Sequence, residues 1–136
     1  MGAPMRYLLD TNIIIAAMKG HVAVRARLEC APLSSLILSP VVLGELEFGA
    51  EKSAHSELNR RRLAELAAQI PLSMIDAEVS RCYGRIRAEL ERQGTPIGAN
   101  DTWIAAQAQA LTAVMVTDNV GEFSRVSGLA VENWLV

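Results

Sequence analysis

Met5-Arg6-Tyr7-Leu8-Leu9-Asp10-Thr11-Asn12-Ile13-Ile14-Ile15-Ala16-Ala17-Met18 changes its hydrophobic period at Asp10. The apolar run up to Leu9 has the length of a strand. Beyond the aspartate, Ile13, Ile14, Ala17 and Met18 recur at helical spacing, and Gly20 follows as a cap. The stretch reads as strand, acid-bearing turn and helix, the opening unit of an α/β fold.

Working outward, the pattern repeats. A helix is expected from about Val22 to Cys30 and a strand over Leu36 to Leu38. Ser39-Pro40 then supplies an N-cap and a first-turn proline for a helix running to about Ala50. His55 to Gln69 is amphipathic, Pro71 to Ile75 reads as a strand, and Asp76 caps a long helix ending near Gly94. A loop with Gly94, Pro96 and Gly98 leads to a helix from Asp101 to Leu111. A strand over Ala113 to Thr117, a short turn or helix through Phe123 and a last strand over Val131 to Leu135 complete the chain. Strands alternating with helices argue for one α/β domain over residues 5–136, with a mostly parallel central sheet flanked by helices. Residues 1–4 read as a tag or leader, because Met5 is itself a suitable start.

The chain has 136 residues, 51% of them apolar, and carries 13 basic against 15 acidic side chains. That apolar content supports a sizeable core and excludes a disordered chain. The charge balance excludes a nucleic-acid binder driven by bulk positive charge. Cys30 and Cys82 stand far apart, with neither CxxC nor histidines at zinc spacing, so two buried free thiols are expected rather than a disulfide or zinc framework. Ile13 to Met18 is far short of the ~20 residues of a membrane span, and no basic segment precedes it. A cytoplasmic protein is the simplest expectation.

Only four aspartates are present: Asp10, Asp76, Asp101 and Asp118. Asp10 ends the first strand, Asp118 follows the strand over Val114 to Thr117, and Asp101 opens the helix leading into that strand. Ligands of open parallel sheets bind beyond the carboxyl ends of the strands, where these residues fall. Counted at 100° per residue from Val42, Leu46 lies at about 40°, Gly49 at about −20° and Glu45 at about −60°, on the border of that apolar stripe; Glu47 and Glu51 point away at about 140° and 180°. Asp101 lies about 60° from Ile104 and about 20° from Ala108 on its own helix. Both acids therefore border apolar faces. A buried carboxylate is costly unless paired or metal-bound, and the only lysines are Lys19 and Lys52. Oxygen-only donors suit Mg²⁺ or Mn²⁺. Taken singly, Asp10, Asp101 and Asp118 are equally well read as helix caps and Glu45 as a flank glutamate paired with arginine; their joint placement is what points to a metal pocket. Asp76 belongs to no such pattern and is read as a cap.

With these residues in view, the chain resembles PIN-domain ribonucleases and, among them, the VapC-type toxins of bacterial toxin–antitoxin pairs. The matching segments are Leu8-Leu9-Asp10-Thr11-Asn12, Glu45-Leu46-Glu47-Phe48-Gly49-Ala50, Asp101-Thr102-Trp103-Ile104-Ala105-Ala106, and Thr117-Asp118-Asn119 followed by Glu122-Phe123. The resemblance implies that Asp10, Glu45 and Asp101 are the family's main acids and Asp118 its more variable fourth. It implies support from Thr11, Asn12, Thr117 and Asn119. It further implies cutting of RNA, tRNA or another structured RNA, to leave a 5′-phosphate and a 3′-hydroxyl, a homodimer, and a cognate antitoxin whose tail occupies a groove of the toxin.

In this reading Asp10, Asp101 and Asp118 hold Mg²⁺, with Mn²⁺ as the alternative, and Glu45 completes the pocket and orients or deprotonates the attacking water. Clustered carboxylates without metal should raise at least one pKa by repulsion. Arg60, Arg61 and Arg62, with Arg81, Arg85 and Arg92 on one flank of the long helix, offer phosphate contacts, though plain solvated flanks explain them as well. Trp103 and Trp134 read as core or interface residues before base-stacking ones. The rivals are weaker: a haloacid-dehalogenase-type phosphatase wants an aspartate where Asn12 stands, and a receiver-type signalling domain wants a lysine after a late strand. A PIN scaffold that only binds is the third alternative, against which the complete acid set argues.

Overall fold

The computed structural model describes residues 5–136; the expected leader at residues 1–4 lies outside the described residues. Four short strands, β1 (Tyr7–Leu9), β2 (Leu36–Ile37), β3 (Val114–Val116) and β4 (Val131–Glu132), form a parallel sheet in the order β2-β1-β3-β4. β1 is central, pairing Tyr7 with Leu36 on one side and with Val114 on the other. Among the described residues, seven α-helices surround the sheet: α1 (Thr11–Met18), α2 (Val22–Cys30), α3 (Pro40–Lys52), α4 (Ser56–Ala67), α5 (Ala77–Arg92), α6 (Ala99–Ala110) and α7 (Val120–Phe123).

The sheet is buried on both faces, which is why its strands are apolar throughout rather than alternating. Leu8, Leu9 and Val114 to Val116 are all buried, each aliphatic side chain contributing roughly 1.5–3 kcal/mol. Helix ends fall where the sequence marks them. Gly20 and Gly94 take positive φ after α1 and α5, and amide groups just beyond them fold back onto the helix carbonyls. Ser39 caps α3, with Pro40 in its first turn, and Asp76 caps α5 through Val79 N–H at 3.0 Å. The inward face of α5 is Val79, Cys82, Ile86 and Leu90.

Three expectations are corrected. Pro71 to Ile75 is not a strand: a single parallel bridge joins Leu38 to Leu72, beyond the β2 edge. Pro71 has no N–H to donate, and Leu72 and Met74 face solvent, so nothing extends the ladder. Cys30 is exposed, whereas Cys82 is buried as expected. α2 buries Val24, and six residues on, Cys30 is rotated about 120° from that contact. The last strand is shorter than expected because Asn133 turns the backbone, its side-chain oxygen accepting from Leu135 N–H at 2.9 Å. Trp134 is a core residue, tilted against Tyr7 with ring centroids 5.2 Å apart. No described helix is long and apolar enough to cross a membrane.

Candidate active site

The parallel register brings the carboxyl ends of β1 and β3 together. Asp10 N–H donates to Val116 carbonyl at 2.9 Å, so the residue after β1 is tied to the last residue of β3. The Asp10 carboxylate then does two jobs. Oδ1 accepts from Thr11 N–H at 2.8 Å, capping α1, and Oδ2 accepts from the buried Thr117 hydroxyl at 2.7 Å. Capping and site-building are the same geometry here. With Asp10 only 7% exposed, burial raises its pKa. The bonds from Thr117 and Thr11 oppose that rise, and the charges of Glu45 and Asp118 add to it.

α3 delivers Glu45 to the same edge, where its Oε1 accepts from the Thr11 hydroxyl at 2.8 Å. Its neighbours Glu47 and Glu51 face solvent, as the helical phase requires. Asp101 sits inside the first turn of α6, and Gly98 holds the cap position without a side-chain bond, so Asp101 is not a cap. Its pKa is pushed up to about 7, chiefly by burial, then by a hydrogen bond with Glu122 and by the charges of Asp10, Glu122 and Glu45. A raised pKa was expected from repulsion; desolvation proves the larger cause.

Asp118 occupies the rim. It is exposed and accepts long bonds of 3.3 and 3.4 Å from the Asn12 amide. Asn119 supports the opposite wall: its N–H donates to the Thr117 hydroxyl at 3.0 Å and its side-chain amide to Glu122 at 2.8 Å. Glu122, quoted in the matching segment Glu122-Phe123, is the pocket residue to which the sequence reading gave no role. The four-residue α7 carries it from Asn119 to Asp101, and the readable signal was the i,i+3 spacing from Asn119.

Among the described residues, no ion pair forms at these acids. Ion pairs among the described residues are Arg27–Glu132, Arg60–Glu51, Arg81–Glu78 and Arg87–Glu91, none of them in the pocket. Nor do any three of the carboxylates stand ready-made around one metal position. In chemistry, however, the set fits a hard divalent ion: oxygen donors only, negative charge uncompensated, and a partly desolvated floor. Asp10, Asp101 and Asp118, with Glu122 beside Asp101, are the residues that would hold such an ion.

The arginines divide. Arg62 lines a groove of about 240 Å³ with Glu45, Lys19 and the apolar side chains of Ile15, Met18, Leu46 and Leu63. Arg60 is engaged by Glu51, Arg61 is exposed, and Arg81 is held by Glu78 at 2.7 Å. Arg85 donates to Gln109 at 3.3 Å. Trp103 stacks on Tyr83, ring centroids 3.9 Å apart.

A parallel α/β sheet with an acidic cluster free of ion pairs at its carboxyl edge is the class of fold whose ligand site lies at the strand ends. Residues 7–129 match the PIN domain family model. The chain is 38% identical to Ribonuclease VapC2 of Rickettsia felis over 132 residues, covering 96% of this chain and 98% of the relative. It is 40% identical to the tRNA(fMet)-specific endonuclease VapC of Shigella flexneri over 131 residues, with the same coverage. Among solved structures, DNA-bound VapBC from Salmonella typhimurium superposes with a TM-score of 0.90 at 35% identity, over 96% of this chain and 99% of that one. VapBC2 from Rickettsia felis, bound to a promoter DNA fragment, gives 0.88 at 36% identity, with the same coverage. The chain therefore belongs to the PIN-domain family, and within it is a ribonuclease of the VapC group. Nucleases of this family are in general metal-dependent.

Proposed function

We propose that the protein is a Mg²⁺-dependent endoribonuclease toxin that cuts tRNA, with Asp10, Glu45, Asp101, Asp118 and Glu122 as its catalytic set. The observation that carries this reading is the carboxylate pocket without a cation, with Asp101 raised to about 7. A cluster this costly makes physical sense as one completed by a divalent ion. Mg²⁺ is favoured over zinc by the all-oxygen donor set, and Mn²⁺ is the substitute. When bound, the ion supplies charge stabilisation for the phosphate and acidifies water.

The chain's own residues do the rest. Thr117 and the Thr11 N–H fix both oxygens of Asp10, so that carboxylate is oriented before any ligand arrives. Thr11 also holds Glu45 by Oε1, leaving Oε2 to orient the attacking water. Asn12 steadies Asp118 at the rim, and Asn119 aims Glu122 at Asp101. tRNA is favoured as substrate by the similarity to the tRNA(fMet)-specific endonuclease of Shigella flexneri.

The solved VapBC relatives support an antitoxin partner. The groove beside Glu45, apolar with Arg62 and Lys19 at its walls, suits an antitoxin tail carrying apolar side chains. A homodimer and a cytoplasmic location complete the reading. The test incubates pure protein with initiator tRNA in Mg²⁺, beside an EDTA control and the Asp10→Ala variant. Discrete cuts by the wild type alone are expected. Equal cutting by Asp10→Ala would remove the carboxylate pocket from the chemistry.

A further inference from the structure

Arg85 on α5 and Arg125, just beyond α7, line one cleft of about 220 Å³ together with Glu89, Gln109 and Ser127. Unlike Arg60, Arg81 and Arg87, neither is paired with a carboxylate. Each is held instead by a neutral acceptor. Arg85 Nη2 donates to Gln109 Oε1 at 3.3 Å, and Arg125 Nη1 donates to the Pro96 carbonyl at 3.2 Å. Gln109 is itself fixed, its amide donating to Ser127 carbonyl at 2.9 Å. A guanidinium held this way is oriented without being neutralised and keeps further N–H groups for an anion. The one acid in the cleft, Glu89, accepts from Gln93 at 3.4 Å.

The position of the cleft matters as much as its charge. Arg125 follows Glu122 by one helical turn, and its anchor Pro96 lies in the loop leading to Gly98 and Asp101. The cleft is framed by α5, by the C-terminal end of α6 at Gln109, two turns along from Asp101, and by residues 125–127, which follow Glu122. A negatively charged strand whose scissile phosphate sits at the acids meets uncompensated positive charge on this flank.

We propose that Arg85 and Arg125 form a phosphate subsite that holds the RNA backbone beside the scissile position. The inference rests on the ribonuclease reading above and adds to it a site of its own. Charge-only contacts of this kind position a strand without reading its bases. Removing both should weaken RNA binding about tenfold near physiological salt and lower the slope of log K against log[salt] by about 1.5–2.

The test measures Kd for initiator tRNA and the cleavage rate for wild type, Arg85→Gln/Arg125→Gln, Glu89→Gln, and Arg25→Gln as a charge control on α2. The double variant should raise KM and Kd, flatten the salt slope and keep kcat. Glu89→Gln should tighten binding, and Arg25→Gln should change neither. Melting temperatures of all four report folding. If the wild type cuts no RNA in Mg²⁺, the ribonuclease reading fails. If it cuts RNA and the double variant keeps the wild-type KM and salt slope, or Arg25→Gln matches the double variant, the subsite is overturned.

Discussion

Acidic residues live under opposite conditions at two places in this molecule. On the outer face of α5, Glu78 and Glu91 stand in water, each one turn from an arginine that neutralises it, at 2.7 and 3.1 Å. At the carboxyl edge of the sheet, Asp10, Glu45, Asp101 and Glu122 crowd a half-buried floor, held by hydroxyls, amides and one another without an ion pair. The first arrangement is cheap and replaceable. The second costs stability in the apo protein, and what recovers that cost must come from outside the chain.

The sharpest way to break this contrast is Asp101→Asn. Cleavage of tRNA should fall about a thousandfold, equivalent to ~4 kcal/mol of lost transition-state stabilisation. The same substitution should raise the metal-free melting temperature at pH 8, because it deletes a repelling, partly desolvated charge. A variant that loses both activity and stability would show that Asp101 is structural. Next in size is the ion itself: Mg²⁺ at about 100 times its Kd should stabilise the fold by about 2.7 kcal/mol, several degrees in a thermal melt. A melt indifferent to millimolar Mg²⁺ and Mn²⁺ would contradict the pocket's assignment.

The pH dependence follows from the sign of the Asp101 shift. Its folded pKa of about 7 lies above the ordinary carboxylate value near 3.9, so between about pH 4 and 7 the folded state holds a proton that the unfolded state has lost. Metal-free stability should therefore decline as pH rises across that window and level off above it, by less than the full shift implies because the group is partly solvated. The ion competes for the same oxygens, so its affinity should fall up to about tenfold per unit below pH 7, measurable by calorimetry. The smallest expected effect is on the other side of the comparison: Arg87→Gln should move the melting temperature by about a degree or less and leave cleavage unchanged.

What was readable from sequence follows the same division. Residues fixed by period were legible: the α3 phase placed Glu45 at the border of the apolar stripe, and the strand ends placed Asp10 and Asp118 at one edge. Glu122 was not, because its importance comes from a four-residue helix too short to show a period. The Pro71 to Ile75 segment reads apolar in the manner of a strand, but strand pairing depends on a neighbour, and beyond Leu38 only one bridge forms. Cys30 was misplaced by assuming that all of α2 packs inward when Val24 is its buried contact. The arginine run at Arg60 to Arg62 names a charge without naming its partner, and Glu51 takes the first of the three.

The Thr117 hydroxyl reaches Asp10 across 107 positions of chain. Until β3 has docked beside β1, the first acid lacks the strand edge, the hydroxyl and the neighbours that make it a ligand. During synthesis, therefore, the pocket cannot exist on a partial chain that has emerged only through α5, however well its early helices have formed. Assembly of the site is a timer as well as a scaffold: the cutting edge arrives only when the sheet closes.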